Sequence, residues 1–169
     1  MNNEKKVEGN NYQQLRGKTS IGGILEIAIL FEQAAYELYT ELSKSVSKNL
    51  IPLVEEFAAE EKNHVAMLKG LSSNPQAQIQ IAMLIERPPS DHRFSDYIHV
   101  PEIGELPDDQ TIFQYALGRE QVAMEQYASL AVETPAGPIH DLFNYLAHEE
   151  MRHKQELEKR YYELFHNSV

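Results

Sequence analysis

The sequence predicts an all-α fold, a four-helix bundle with one long crossover between the second and third helices. Three observations carry this. Four segments place apolar residues at alternating steps of three and four, the spacing of a buried helix face. The chain also repeats itself, so that the first two segments match the last two. Between the halves, residues 72–107 are broken by Pro75, Pro88, Pro89, Pro101 and Pro107, which excludes a continuous helix there.

The elements follow in order. Residues 1–18 are polar and charged, without the apolar core of a signal peptide, and read as a flexible N-terminal arm before a bundle domain over 19–169. The first helix is expected to start near Thr19 or Ser20, weakened in its first turn by Gly22 and Gly23, and to end around Lys44. Its seam reads Leu25, Ala28, Glu32, Ala35, Tyr39, Leu42. After a short turn, Pro52 suits the opening turn of the second helix, whose seam is Leu50, Val54, Phe57, Glu61, His64, Leu68, Leu71. It should stop at Ser72-Ser73-Asn74-Pro75.

The crossover has a mechanical purpose, because it must carry the chain back along the height of the bundle. Its apolar stretch at 79–85 suits packing on the bundle or on a second subunit, as helix or as strand. The third helix, capped near Asp108 or Asp109, carries Phe113, Ala116, Glu120, Ala123, Tyr127, Leu130 on its seam. Thr134-Pro135-Ala136-Gly137-Pro138 reads as a turn. The last helix, to about Phe165, carries Ile139, Phe143, Leu146, Glu150, His153, Leu157.

Each seam is apolar at both ends and polar in the middle. Glu61 with His64, and Glu150 with His153, form two Glu-x-x-His pairs, whose members lie on one helix face about a turn apart. Glu32 and Glu120 open two Glu-Gln-x-Ala-x-Glu-x-Tyr segments that precede those pairs at nearly the same offset. One Glu from each of two helices plus Glu-x-x-His from each of the other two is the ligand set of a two-metal carboxylate site. A single Glu-x-x-His arises often on solvated helix faces; two matched copies on apolar seams do not. Buried carboxylates need a partner, and Lys62, Arg119, Arg152 and Lys154 fall beside the ligand positions. Two divalent ions would balance four carboxylates. Glu60 and Glu149 read as solvated flank, and His92, His99, His140, His148 and His166 as loop, end or flank residues.

Composition narrows the rest. The 169-residue chain has no cysteine, which removes disulfides, thiolate metal sites and iron–sulfur clusters. A net charge of −11 opposes nucleic-acid binding, and no apolar run has the length of a membrane span, so a cytoplasmic protein is expected. An acidic bundle with apolar stretches at 79–85 and 94–98 is expected to form a homo-oligomer, with a dimer favoured.

With these residues in place, the chain resembles rubrerythrin-type members of the ferritin-like superfamily over about 21–165. The resemblance implies that Glu61 and Glu150 bridge two metals. Glu32 with His64 would complete one ion, and Glu120 with His153 the other. It also implies iron, cycling between ferrous and ferric states with hydrogen peroxide or dioxygen; the spacing accepts manganese or zinc equally well. Tyr39 and Tyr127, on the seams of Glu32 and Glu120, would hydrogen-bond near the site or take part in electron transfer, though core aromatics need no such role. Two features depart from the family. Ala123 stands where rubrerythrin has a further Glu, leaving space for a small oxidant, and no cysteines are present to form the rubredoxin domain, so electrons must come from a separate donor or from the substrate. A non-haem oxidoreductase is the favoured expectation. Iron oxidation and handling, or a metal-stabilised structural or regulatory bundle without turnover, are the alternatives.

Overall fold

Ser20 sets the start of the first long helix: its side chain accepts a hydrogen bond from the Gly23 amide at 3.0 Å, satisfying one of the free amides of the first turn. The computed structural model describes residues 18–86, Phe94 and 96–166. In order they form β1 (Lys18–Ser20), α1 (Ile21–Leu42), α2 (Ile51–Gly70), α3 (Pro75–Ile81), β2 (Leu84–Glu86), α4 (Asp109–Glu133) and α5 (Pro138–Phe165). The fold is predominantly α-helical and bundle-like. The expected arm at 1–18 lies outside the described residues, apart from Lys18, which belongs to β1.

All four seams are buried over their whole length, with their polar residues included. Helix direction follows from which ends share apolar neighbours. One cluster joins Ile21 and Ile24 of α1 to Leu68 of α2, Leu130 of α4 and Ile139 of α5. The other joins Leu42 of α1 to Val54 of α2, Phe113 of α4 and Leu157 of α5. Hence α1 and α5 run one way, α2 and α4 the other, and the stretch between α2 and α4 traverses the length of the helices. Each fully buried Leu or Phe in these clusters contributes about 1.5–3 kcal/mol, and together they offset the burial of the polar belt between them.

The crossover is partly ordered by its own short-range chemistry. Asn74 caps α3 by accepting from the amides of Gln76 and Ala77, and Pro75 takes the first helical position, where no amide is needed. The sequence reads Pro75 only as a stop; it also starts this helix. β2 then pairs antiparallel with β1, with Thr19 opposite Ile85, so Ile85 faces the core while Leu84 points outward. Gly22 has a reason beyond helix weakness. A Cβ there would fall 2.9 Å from Ile81 Cγ2 and 3.2 Å from the Ile81 carbonyl oxygen, so glycine lets the crossover lie directly on α1.

Gln80 fastens the other side of the crossover. Its amide donates to the carbonyls of Pro135 and Ala136 in the turn before α5. Gly137 in that turn has φ of 153°, so the backbone geometry favours glycine, and the Gln80 amide packs where a Cβ would stand, 2.8 Å from it. Phe94 is also in the core, 4.4 Å from Phe31 and 5.4 Å from Tyr127 between ring centroids. Ile79, Met83 and Leu84 are exposed. Among the described residues, no helix is long and apolar enough to cross a membrane.

Candidate metal centre

Glu32, Glu61, His64, Glu120, Glu150 and His153 all converge between the two apolar clusters, each 1% exposed or less. They form two groups with ligand atoms within 4.8 Å of one another: Glu32, Glu61, His64 and Glu150, and then Glu61, Glu120, Glu150 and His153. Glu61 and Glu150 belong to both groups. His64 Nδ1 lies 3.1 Å from Glu150 Oε1, 3.2 Å from Glu61 Oε2 and 3.6 Å from Glu32 Oε2. His153 Nδ1 lies 3.3 Å from Glu61 Oε1, 3.5 Å from Glu150 Oε2 and 3.8 Å from Glu120 Oε2. The two oxygens of each shared carboxylate thus face different imidazoles.

The tyrosines hold the outer carboxylates crosswise. Tyr39 on α1 donates its hydroxyl proton to Glu120 Oε1 on α4, and Tyr127 on α4 donates to Glu32 Oε1 on α1. Each bond fixes one oxygen and leaves the other free. Glu32 Oε2, Glu61 Oε1, Glu120 Oε2, both oxygens of Glu150 and Nδ1 of His153 are buried without a hydrogen-bond partner. Orphaned acceptors of this kind are costly in a protein interior, and a bound cation is the partner they suit. The donor set of carboxylates and imidazoles fits iron, manganese or zinc.

Two residues placed outside the site by seam counting belong to it. Glu60 is not solvated flank: its Oε2 lies 2.6 Å from His153 Nε2, and Arg152 holds its other oxygen at 2.7 Å. Arg119 is completely buried and reaches into the carboxylates, with Nη1 3.1 Å from Glu120, 3.5 Å from Glu61 and 4.0 Å from Glu150, and Nη2 3.7 Å from Glu32. Its guanidinium lies over the Phe31 ring, 4.2 Å from the centroid. The charge balance drawn from the seams omits this permanent cation. The signal in the sequence was only adjacency to Glu120. Glu149 is half-buried and paired with Arg152, while His140 is half-buried and His99, His148 and His166 are exposed; His92 lies outside the described residues. Ala123 is buried on its seam.

Electrostatics divide the carboxylates into two kinds. Burial, with the Glu150 and Glu61 charges adding, holds Glu32 well above the usual range. Burial and the Glu150 charge raise Glu120 to about 8, against the pull of Arg119. Burial also disfavours ionised Glu61 and Glu150, but Arg119 beside Glu61, and the Glu120 carboxyl and the imidazoles beside Glu150, outweigh it and both are lowered. Burial opposes the charge on His64 and His153, yet the surrounding carboxylates raise both. Without a metal, the cluster therefore retains protons that an ion would displace.

Comparison with protein-family models, curated proteins and solved structures finds no match to this chain.

Proposed function

We propose that the protein is a dinuclear metal–carboxylate protein of the ferritin-like, rubrerythrin-related kind, with iron as the favoured metal. Its favoured activity is that of a non-haem oxidoreductase acting on hydrogen peroxide or dioxygen. The observation that carries this reading is the pair of buried donor groups sharing Glu61 and Glu150. Glu32 and His64 would complete one position, Glu120 and His153 the other. When bound, the ions would supply Lewis acidity and, for iron, a redox couple.

The chain's own residues would prepare the site. Tyr39 and Tyr127 orient the outer carboxylates, so that one oxygen of each is directed inward. Glu60 accepts the Nε2 proton of His153, which keeps the Nδ1 lone pair toward the centre. Phe57, with its ring centroid 4.4 Å from that of His153, fixes the imidazole plane. Apolar clusters at both ends exclude bulk water. Replacing Glu60 with Gln is expected to weaken binding at the His153 position by about 10–100-fold, the usual effect of losing such a partner. Metal titration of the purified variant checks it, and unchanged affinity would remove Glu60 from the site.

A second reading is a structural bundle without turnover. Arg119 favours it, because a permanent cation among the carboxylates relieves part of the need for metal. Metal analysis of anaerobically purified protein, followed by optical spectra of the ferrous form before and after hydrogen peroxide or dioxygen, separates the two. A redox centre is oxidised and then recovers its ferrous spectrum when a donor is added. A ferrous protein indifferent to both oxidants favours the structural bundle.

A further inference from the structure

We propose that Arg119 makes the two metal positions unequal: the position of Glu32, Glu61, His64 and Glu150 fills first, and that of Glu61, Glu120, Glu150 and His153 fills second and more weakly. This rests on the dinuclear reading and adds to it an order of loading and the residue that sets it.

The warrant is which oxygens the guanidinium uses. Nη1 approaches Glu120 Oε1, Glu61 Oε1 and Glu150 Oε2 at 3.1, 3.5 and 4.0 Å. Glu61 Oε1 and Glu150 Oε2 are the same atoms that face His153 Nδ1. The oxygens facing His64 are the opposite pair, Glu61 Oε2 and Glu150 Oε1. Of the three oxygens that face His64, Arg119 approaches Glu32 Oε2, at 3.7 Å through Nη2. An ion at the second position would therefore share two of its facing oxygens with a fixed positive charge, against one at the first.

Arg119 has little room to withdraw. It is 0% exposed, packs on the Phe31 ring, and donates from Nη2 to the Phe31 carbonyl at 3.4 Å. A guanidinium does not lose its proton in proteins and offers no lone pair to a metal. The repulsion of a divalent ion by this charge falls with distance, so the position whose facing oxygens the guanidinium approaches in greater number is the one it weakens more.

Titration of the metal-free protein with Co2+ alone, read by calorimetry and by the visible Co2+ spectrum, tests this without any assay of activity. Two steps separated by at least about tenfold in Kd are expected. Arg119→Met, similar in length but uncharged, should bring the steps together, while Arg119→Lys should keep them apart. The ligand variants give a test that does not depend on how Arg119→Met folds: Glu120→Ala should retain the tight step and Glu32→Ala should lose it. Two equal steps in the unaltered protein would overturn the proposal and leave the dinuclear reading intact. So would loss of the tight step in Glu120→Ala, or an unchanged separation in folded Arg119→Met. No binding of Co2+ at all would overturn both.

Discussion

Glu61→Ala and Glu150→Ala are each expected to lose metal from both positions, whereas Glu32→Ala or Glu120→Ala should empty mainly one. The reason is geometric: each shared carboxylate presents one oxygen toward His64 and the other toward His153. Removing it takes a donor from both groups and a neighbouring carboxylate from both imidazoles. Metal content per chain, measured on purified variants that keep their helical circular dichroism, should fall from two ions to near zero for the shared pair. It should fall to about one for the outer pair. Similar partial loss in all four variants would show that no carboxylate is shared.

Removing the metals should lower the melting temperature, and more so at pH 8 than at pH 5.5. An ion present at about a hundred times its Kd adds about 2.7 kcal/mol, which for a domain of this size is roughly 5–10 °C. In the metal-free protein the raised carboxyl of Glu120 stabilises fully below its usual value of 4.5, and this is lost as pH climbs toward about 8. His64, also raised, contributes fully below its usual 6.5, and that contribution declines at higher pH. Glu61 and Glu150 are lowered and act in the opposite sense, stabilising above 4.5 and failing as pH falls below it. The chelated protein should therefore melt higher at pH 5.5 than at pH 8. The loaded protein should gain more from its metal at pH 8, since its ligands must be deprotonated. Thermal melts with and without chelator at both values check this; a chelated protein that gains stability from pH 5.5 to pH 8 would contradict the clustered site.

Much of the site was legible because helices impose a period. Steps of three and four placed Glu32, Glu61, His64, Glu120, Glu150 and His153 on buried faces, and the burial of all six agrees with that spacing. The caps were legible to within one residue for a similar reason: Ser20 and Asp108 each accept from the amide three residues on, a distance set within one turn. The crossover was less so. Asn74-Pro75 signals both the end of one helix and the start of another, and only the pairing of Ser20 with Leu84 and of Thr19 with Ile85 decides that the next segment is a strand.

The sequence by itself determined that the seam side chains turn inward, because periodicity is a local property of the backbone. Only the tertiary structure decided what those side chains meet. Tyr39 could have bonded within its own helix, yet it reaches Glu120 on another, and Tyr127 returns the contact to Glu32. Glu60 and Arg119 sit one position from a seam, roughly 100° around the helix, which a periodic count assigns to the flank. Their long side chains have reach enough to cross that angle. Whether they do depends on the neighbouring helix, and here His153 and the carboxylate cluster lie within that reach.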